Sequence, residues 1–585
     1  MDTPVVALVG NEYEENLSLR YLAAAVEARG LRAEIVACDA HDDEDAIVRA
    51  ILAAGPIVVG VSIPFQHRAR AMMGLAAALR ARGYAGHITV GGHFATFEYA
   101  SILRDVPAID SVVRHEGEEA LVDLCELVRR GEPVPALPGL IVRGQRRRLP
   151  LAGAAASDDG DLLVGPKRPL PRLDDLPTPD RRGEPHDVLG VRCSPIVGSR
   201  GCYADCTFCC IYAYADNADG ARYRMRSPES IAAEMREEYE RRGVRLFVFH
   251  DDNFFVPHAG KNLQRYRRLA ALLREAGMTD IGLVIKCRPS DVESELFHVL
   301  KDMGMIRTYI GIETNSDEGV ISLRRGITPA DNRRALEVLR ALDVYHSFNV
   351  LIFDPEATLA GVAANLDFMA DFADTPWNFC RAEVYAGTPL RHTLAAEGRL
   401  VGDYLGWNYE MRDPRVELLF RVCTTAFYGR NFKSDGLANL NMGLRFDAEV
   451  LRRFYAAGWD PEFQARLVAF SRAVGEDTVG HARAALDFAR EVDTGDYAAV
   501  NAFTLRLARA LARSDLALLA TCKALRREME ARARAAGAVD PRHRFGRGMP
   551  PWAAETGRLG TSVGRDLSTE ALPPPILLAD QGADR

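Results

Sequence analysis

No stretch of this sequence approaches the ~18 uncharged apolar residues that a membrane span requires, and its start, MDTPVVALVG, has no basic segment followed by a long apolar run. Both absences predict a soluble, cytoplasmic chain with no membrane partner. Positive charge is not in excess either. Lys and Arg number 73 against 81 Asp and Glu, for a net charge of -8. The two signs are interspersed, so the electrostatic footprint of a nucleic-acid partner is missing. A small-molecule or peptide substrate is the expectation. Cysteine is sparse, 11 in 585 residues, and too scattered for a disulfide framework in a reducing compartment. Finally, G-x-G-x-x-G is absent after the first apolar strand, where GNEYEENLSL stands. That excludes the dinucleotide fingerprint.

What is present divides the chain into about three or four domains. Over residues 1–135, PVVALVG, RAEIVAC, IVVGVSI, HITVGG and SVVRHEG read as short buried strands, separated by helical segments such as LRYLAAAVEARG. This pattern predicts an α/β fold with a doubly wound, Rossmann-like parallel sheet. Ligands of such sheets bind beyond the carboxyl ends of the strands. The turns there hold Ser62 and Gln66-His67-Arg68, then Gly91-Gly92-His93, then Glu116-Gly117. Asp39-Ala-His41 reads as a solvated acidic turn. Residues 136–185, rich in proline, glycine and charge, read as a surface linker.

Against the scarcity of cysteine, GSRGCYADCTFCC at 198–210 crowds Cys202, Cys206 and Cys209 into a C-x3-C-x2-C loop, with Phe208 before the third. A structural zinc site usually pairs two knuckles, and no second pair follows. Ferredoxin spacing also differs. Three thiolates at this spacing suit three irons of a [4Fe-4S] cube, with the fourth iron left open. Beyond the loop, RLFVFHDD, IGLVIKC, IRTYIGIE, SFNVLIF and WNFCRAEVY alternate with amphipathic helices, which predicts a partial (β/α) barrel over 186–395. Polar strings at the strand ends include His250-Asp251-Asp252-Asn253, Arg288 and Glu313. From 396 to 540 the spacing is helical and no strand pattern is evident, so a helical domain that caps the barrel mouth is expected. Tyr404, Trp407, Tyr409, Tyr428 and Asn431 are candidates there for core or pocket. Residues 541–585 read as a disordered tail.

The cysteine loop resembles the motif of the radical S-adenosylmethionine (SAM) superfamily, and the order of the front turns resembles the cobalamin-binding domain that precedes the barrel in many of its members. Together they resemble the cobalamin-dependent, class B radical SAM methyltransferases. The resemblance implies a [4Fe-4S] cluster on Cys202, Cys206 and Cys209, SAM contacts from Phe208, Arg288 and Glu313, and a cobalamin site from Ser62, Gln66, His67, Arg68, Gly91, Gly92, His93, Glu116 and Gly117. It also implies an electron donor such as flavodoxin or ferredoxin, and methyl transfer from methylcobalamin to an unactivated carbon of a natural-product precursor. No catalytic side chain is assigned by it. Two departures stand out. The D-x-H-x-x-G that brings a histidine to cobalt in other cobalamin proteins is missing, and FDPEAT stands where G-x-P-G-E-T is usual. Rearrangement or cyclisation without methylation, polar methylation, and a zinc-bearing cobalamin sensor are the alternatives. A methylthiotransferase is disfavoured, because the front domain lacks three further clustered cysteines.

Overall fold

Five apolar segments become parallel strands: β1 (Val5–Gly10), β2 (Arg32–Ala37), β3 (Val58–Ser62), β4 (His87–Gly91) and β5 (Ser111–Val113). The computed structural model describes residues 3–541 except 13, 40–41, 145–154, 157–161 and 434. His41 and the tail expected to be disordered therefore lie outside the described residues, apart from residue 541. All six residues of β1 are buried, as a strand covered on both faces must be. Helices Leu17–Glu27 and Glu118–Arg129 pack on one face. Helices Glu44–Ala54, Gln66–Ala81 and His93–Asp105 pack on the other. The strand order is β2-β1-β3-β4-β5, so the direction of winding switches between β1 and β3, where such sheets open a crevice for a ligand.

The segment read as a linker does more than connect. β6 (Leu140–Arg143) pairs antiparallel with β5, β8 (Leu162–Val164) with β6, and the short β7 (Ala155–Ala156) with β8. Leu140 and Ile141 are fully buried. Covering the open edge of β5 satisfies its backbone groups, and the proline- and glycine-rich composition hid these short strands. Asp39 is likewise buried rather than solvated, accepting the Glu12 N–H at 3.0 Å.

The second sheet holds β9 (His186–Val188), β10 (Val191–Ile196), β13 (Leu246–Phe249), β14 (Gly282–Cys287), β15 (Met305–Ile310), β16 (Tyr345–Phe353) and β17 (Trp377–Arg381). The order is β17-β16-β15-β14-β13-β10-β9. All neighbours from β10 to β17 run parallel, and β9 is the antiparallel edge. This is the partial (β/α) barrel. A small ribbon, β11 (Ser199–Gly201) with β12 (Tyr223–Met225), frames the cysteine loop.

The C-terminal part differs from expectation in two ways. It opens with a hairpin, β18 (Leu400–Asp403) and β19 (Gly406–Tyr409), whose strands are too short and too exposed for an apolar alternation. Of its helices Pro414–Ala426, Leu437–Phe454, Pro461–Glu491 and Tyr497–Ala535, the second lies at the end of the barrel opposite the mouth. Leu444, Phe446, Val450 and Leu451 share one core with Val191, Leu246, Val284, Ile306 and Tyr345, and the Arg453 guanidinium binds the Ile281 carbonyl just before β14 at 2.9 Å. The apolar face of the helix thus closes the amino-terminal end of the barrel and leaves the carboxyl-terminal end for chemistry. The hairpin instead meets the front domain: Tyr404 donates to Asp105 at 2.8 Å and stacks on Phe94. Tyr409 is core, bonded to the Ala382 carbonyl. Trp407 lies under the Arg391 guanidinium, Asn431 is buried against Asn378, and Tyr428 is exposed.

The helical domain is held by a fully buried Arg430, which reaches Asp477 at 2.6 Å, Asp515 at 2.8 Å and Ser514 at 2.7 Å. Arg430→Met leaves two carboxylates without their counter-charge. We expect a cost of about 3 kcal/mol, read as a lower urea midpoint for the helical domain with the front domain's transition unmoved.

Candidate functional site

At the carboxyl ends of both sheets a single cleft is bounded by the front domain on one side and the barrel on the other. It encloses about 280 Å³ and is open to solvent at its mouth. From the front domain come Leu8, Gly60, Ser62, Gly91, Gly92, His93, His115, Glu116 and Gly117; from the barrel side come Arg200, Tyr214, Arg224, His250 and Asp252. The deep part is apolar, built from Leu17, Leu19, Leu22, Val61, Val90, Val113 and Leu121. Gly92 has φ +108, and a Cβ there would lie 2.8 Å from the Ile63 carbonyl, so the turn after β4 closes tightly only with glycine.

Six of the nine residues assigned to cobalamin from the sequence line this cleft: Ser62, Gly91, Gly92, His93, Glu116 and Gly117. Gln66, His67 and Arg68 are turned to other partners. Gln66 donates to the Val384 carbonyl of the barrel at 3.0 Å, Arg68 donates to the Cys38 carbonyl at 3.0 Å, and His67 stacks on Phe65. Burial, reinforced by Arg68, lowers His67 to about 4, so it is neutral at ordinary pH.

The two sides of the cleft are joined by charge. Arg200, on β11 two residues before Cys202, binds Glu116 at 2.9 Å and Glu118 at 2.8 Å, and Arg224 on β12 pairs with Glu116 as well. Burial works against Glu116's charge, but Arg200 and Arg224 overcome it and hold the carboxyl below its ordinary range. None of these arginines was singled out from the sequence, where they are ordinary residues of a basic-rich stretch.

The cysteine loop runs from β11 into the helix Cys210–Asn217, with Cys209 at its N-cap. Thr207 anchors it to the following barrel loop through the Leu323 and Ser322 carbonyls, at 3.1 and 3.0 Å. Cys206 is buried and receives two guanidinium N–H groups, from Arg325 at 3.1 Å and Arg288 at 3.4 Å. Burial pushes the Cys202 thiol up to about 11 and the Cys209 thiol up to about 12, the latter with Cys206 adding to the effect. Thiolates in such surroundings call for positive charge beside them, so the donor set fits a cationic iron–sulfur cluster. Among the described residues, no three His, Cys, Asp or Glu side chains converge tightly enough to hold a single metal ion. Arg288 thus stands at the cluster loop, and Arg325, which the sequence did not mark, joins it there. Glu313 sits on the rim with φ +64. Burial raises its pKa, with Arg325 and Arg288 opposing. Phe208 packs against the barrel core.

On the cobalamin side the fit is also good. The glycine turns and apolar depth offer a cradle, and the buried Nδ1 of His115, on the cleft wall, has no hydrogen-bond partner in the protein.

Comparison with known proteins agrees. The B12 binding domain matches residues 3–125 and the Radical SAM superfamily matches residues 196–368. The chain is a cobalamin-binding radical SAM enzyme. It is 25% identical over 336 residues to an uncharacterized methyltransferase of Pyrococcus horikoshii, covering 57% of this chain and 68% of that one. It is also 25% identical, over 355 residues, to hopanoid C-3 methylase of Methylococcus capsulatus, covering 58% and 61%. An anaerobic magnesium-protoporphyrin IX monomethyl ester cyclase of Cereibacter sphaeroides is 25% identical over 336 residues, 55% of this chain and half of that one. The chain thus spans half to two thirds of these relatives' lengths. In fold it is similar to OxsB, a cobalamin-dependent SAM radical enzyme solved with aqua-cobalamin, at TM-score 0.64, 16% identity and coverage of 90% and 84%. It is similar also to the methyltransferase TsrM of Kitasatospora setae, at TM-score 0.55, 19% identity and coverage of 68% and 76%. No helix among the described residues is long and apolar enough to cross a membrane.

Asp251, at the end of β13, gives a pH test. Burial raises it to about 7, although Gly198 N–H and the Ser199 hydroxyl bond its carboxyl at 2.6 and 3.0 Å. The folded pKa exceeds the unfolded one, so its contribution to stability is full below about pH 4 and is lost as pH rises through about 7. Asp251→Asn removes that dependence. We expect the variant to gain on wild type in Tm between pH 5 and pH 8, measured without added cofactors; a constant difference would contradict the shift.

Proposed function

We propose that the enzyme transfers a methyl group from methylcobalamin to an unactivated carbon of a small-molecule or peptide precursor of a natural product, with reducing electrons from a flavodoxin or ferredoxin in the cytoplasm. The observation that carries this reading is the shared cleft: the cobalamin turns and the segments on either side of the cysteine loop, Ser199 to Gly201 and Ile211 to Ala215, line one space, and Arg200 pins them to each other. Eleven free cysteines accord with a reducing compartment.

When bound, the cluster and SAM supply a carbon-centred radical and cobalamin supplies the methyl group, because cofactors carry the hard chemistry. The protein's part is to hold and exclude. Cys202, Cys206 and Cys209 would hold the cluster, with Arg288 and Arg325 lying against Cys206. Glu313 and Phe208 are the proposed SAM contacts. Ser62, Gly91, Gly92, His93, Glu116 and Gly117 would receive cobalamin, while Gln66 ties its turn to the barrel and His67 and Arg68 face other partners. Tyr404 and Trp407 of the hairpin hold the front domain against the barrel side. A second reading has its own support. The cyclase shares the same 25% identity as the methyltransferases, over a smaller share of its own length, and cobalamin-assisted cyclisation without methyl transfer fits the same architecture.

The test is anaerobic reconstitution with iron, sulfide and cobalamin, for wild type and for the triple variant Cys202→Ala/Cys206→Ala/Cys209→Ala. We expect about four irons and about one cobalt per chain in wild type, and iron lost with cobalt retained in the variant. With SAM, reductant and candidate precursors, a product heavier by one methylene together with 5'-deoxyadenosine supports radical methylation. A product without added mass selects cyclisation, and methylation without 5'-deoxyadenosine selects the polar route.

A further inference from the structure

The cysteine loop is attached to the front domain at both of its ends. Before the loop, Arg200 is clamped by Glu116 and Glu118. After it comes the helix Cys210–Asn217, eight residues long and so about 12 Å from end to end. Its start is fixed to the third cysteine: Cys209 is the N-cap, and its carbonyl accepts the Ala213 N–H at 3.3 Å. Its far end is fixed to the turns after β4 and β5. The Tyr214 ring lies 4.1 Å from His93 and 5.3 Å from His115, centroid to centroid. The Asn217 side-chain oxygen accepts from Arg114 at 3.1 Å and from His115 Nε2 at 3.1 Å.

These contacts meet the front domain at a strained point. His115 has φ +59, the left-handed region that a histidine seldom adopts, and its N–H is held by the Thr96 hydroxyl at 2.9 Å. His93, His115 and Tyr214 line the cleft proposed for cobalamin, whereas Asn217 does not. A group that fills the cleft therefore presses on the two histidines, and the histidines bear on a short rigid rod whose other end sets the position of Cys209.

We propose that Asn217 and Tyr214 are positioning residues that couple the two cofactor sites, so that cobalamin occupancy stabilises the cluster. The proposal rests on the cofactor reading above. By linkage the effect is reciprocal: a formed cluster strengthens cobalamin binding by the same factor.

The experiment uses full-length protein reconstituted with its cluster, with and without hydroxocobalamin, and follows the release of iron to a ferrous chelator. We expect cobalamin to slow release about five-fold or more in wild type. In Asn217→Ala most of that protection disappears while cobalt stays bound, in Tyr214→Leu it disappears as well, and Tyr214→Phe, which keeps the ring, retains it. The coupling is overturned if wild type holds both cofactors and cobalamin gives no protection. It is overturned equally if cobalt-loaded Asn217→Ala is protected as well as wild type. A wild type that binds no cobalt overturns the cofactor reading instead, and the two failures are distinguished by cobalt content.

Discussion

The arrangement of this enzyme depends on one buried charge cluster, Arg200 with Glu116, Glu118 and Arg224. Its side chains retain between 7% and 19% of their exposure, so four charged groups have left water, at a cost that only good geometry and full pairing offset. That cost argues for a positional role more than for a stabilising one. Arg200 lies two residues from the first cluster cysteine, and Glu116 lies in a turn of the cobalamin cleft. Apolar packing would join the domains as firmly, but it would tolerate sliding. Guanidinium–carboxylate pairs fix direction as well as distance.

A second seam uses the turn after β1, where other cobalamin proteins keep D-x-H-x-x-G. Here the turn is acidic. Glu12 pairs with Arg20, Glu15 lies 3.1 Å from both Arg181 and Arg242, and Glu14 is 3.9 Å from His250. Arg181 in turn meets Glu234 and the Pro195 carbonyl of β10. The sequence departure has a structural use: a turn with no metal-binding task is free to dock the front sheet against the first barrel strand. Together with Arg200 it gives two charged attachments, and the hairpin contact of Tyr404 adds a third.

Much of this was legible in the sequence because the signals were local. Near-continuous apolar runs such as VVALVG announce strands buried on both faces, the amphipathic segments between them announce helices, and C-x3-C-x2-C is a motif within eight positions. What stayed hidden is of another kind. β6 and β8 are short and lie among prolines and glycines. The β18–β19 hairpin is half exposed, so its alternation carries no apolar signature. The helical domain reads as helices but not as the closure of one barrel end rather than the other, because that choice depends on Leu444 and Phe446 meeting Ile306 and Tyr345, which lie far earlier in the chain. Arg200, Tyr214 and Asn217 are distinguished only by what faces them across a domain boundary, and Arg325 by Cys206, 119 positions away within the barrel; a single sequence does not show either.

Backbone strain supports the same division of the cleft. Among the described residues five without a glycine's freedom have positive φ, and two of them, His115 and Glu313, belong to the site. Each is held by neighbours on another element: Thr96 of the helix His93–Asp105 bonds the His115 N–H, while Asn349 accepts the Glu313 N–H at 3.2 Å and Leu351 donates to its carbonyl. A conformation that costs of order 1–3 kcal/mol persists only where surrounding structure enforces it. His115 aims its ring at the helix that leaves the cluster loop, and Glu313 holds a buried carboxyl near the arginines that bind Cys206. The strain therefore falls at two places that face the cysteine loop, His115 on the cleft wall of the front domain and Glu313 beside the barrel arginines that bind Cys206, and an unstrained backbone at either position would aim its side chain elsewhere.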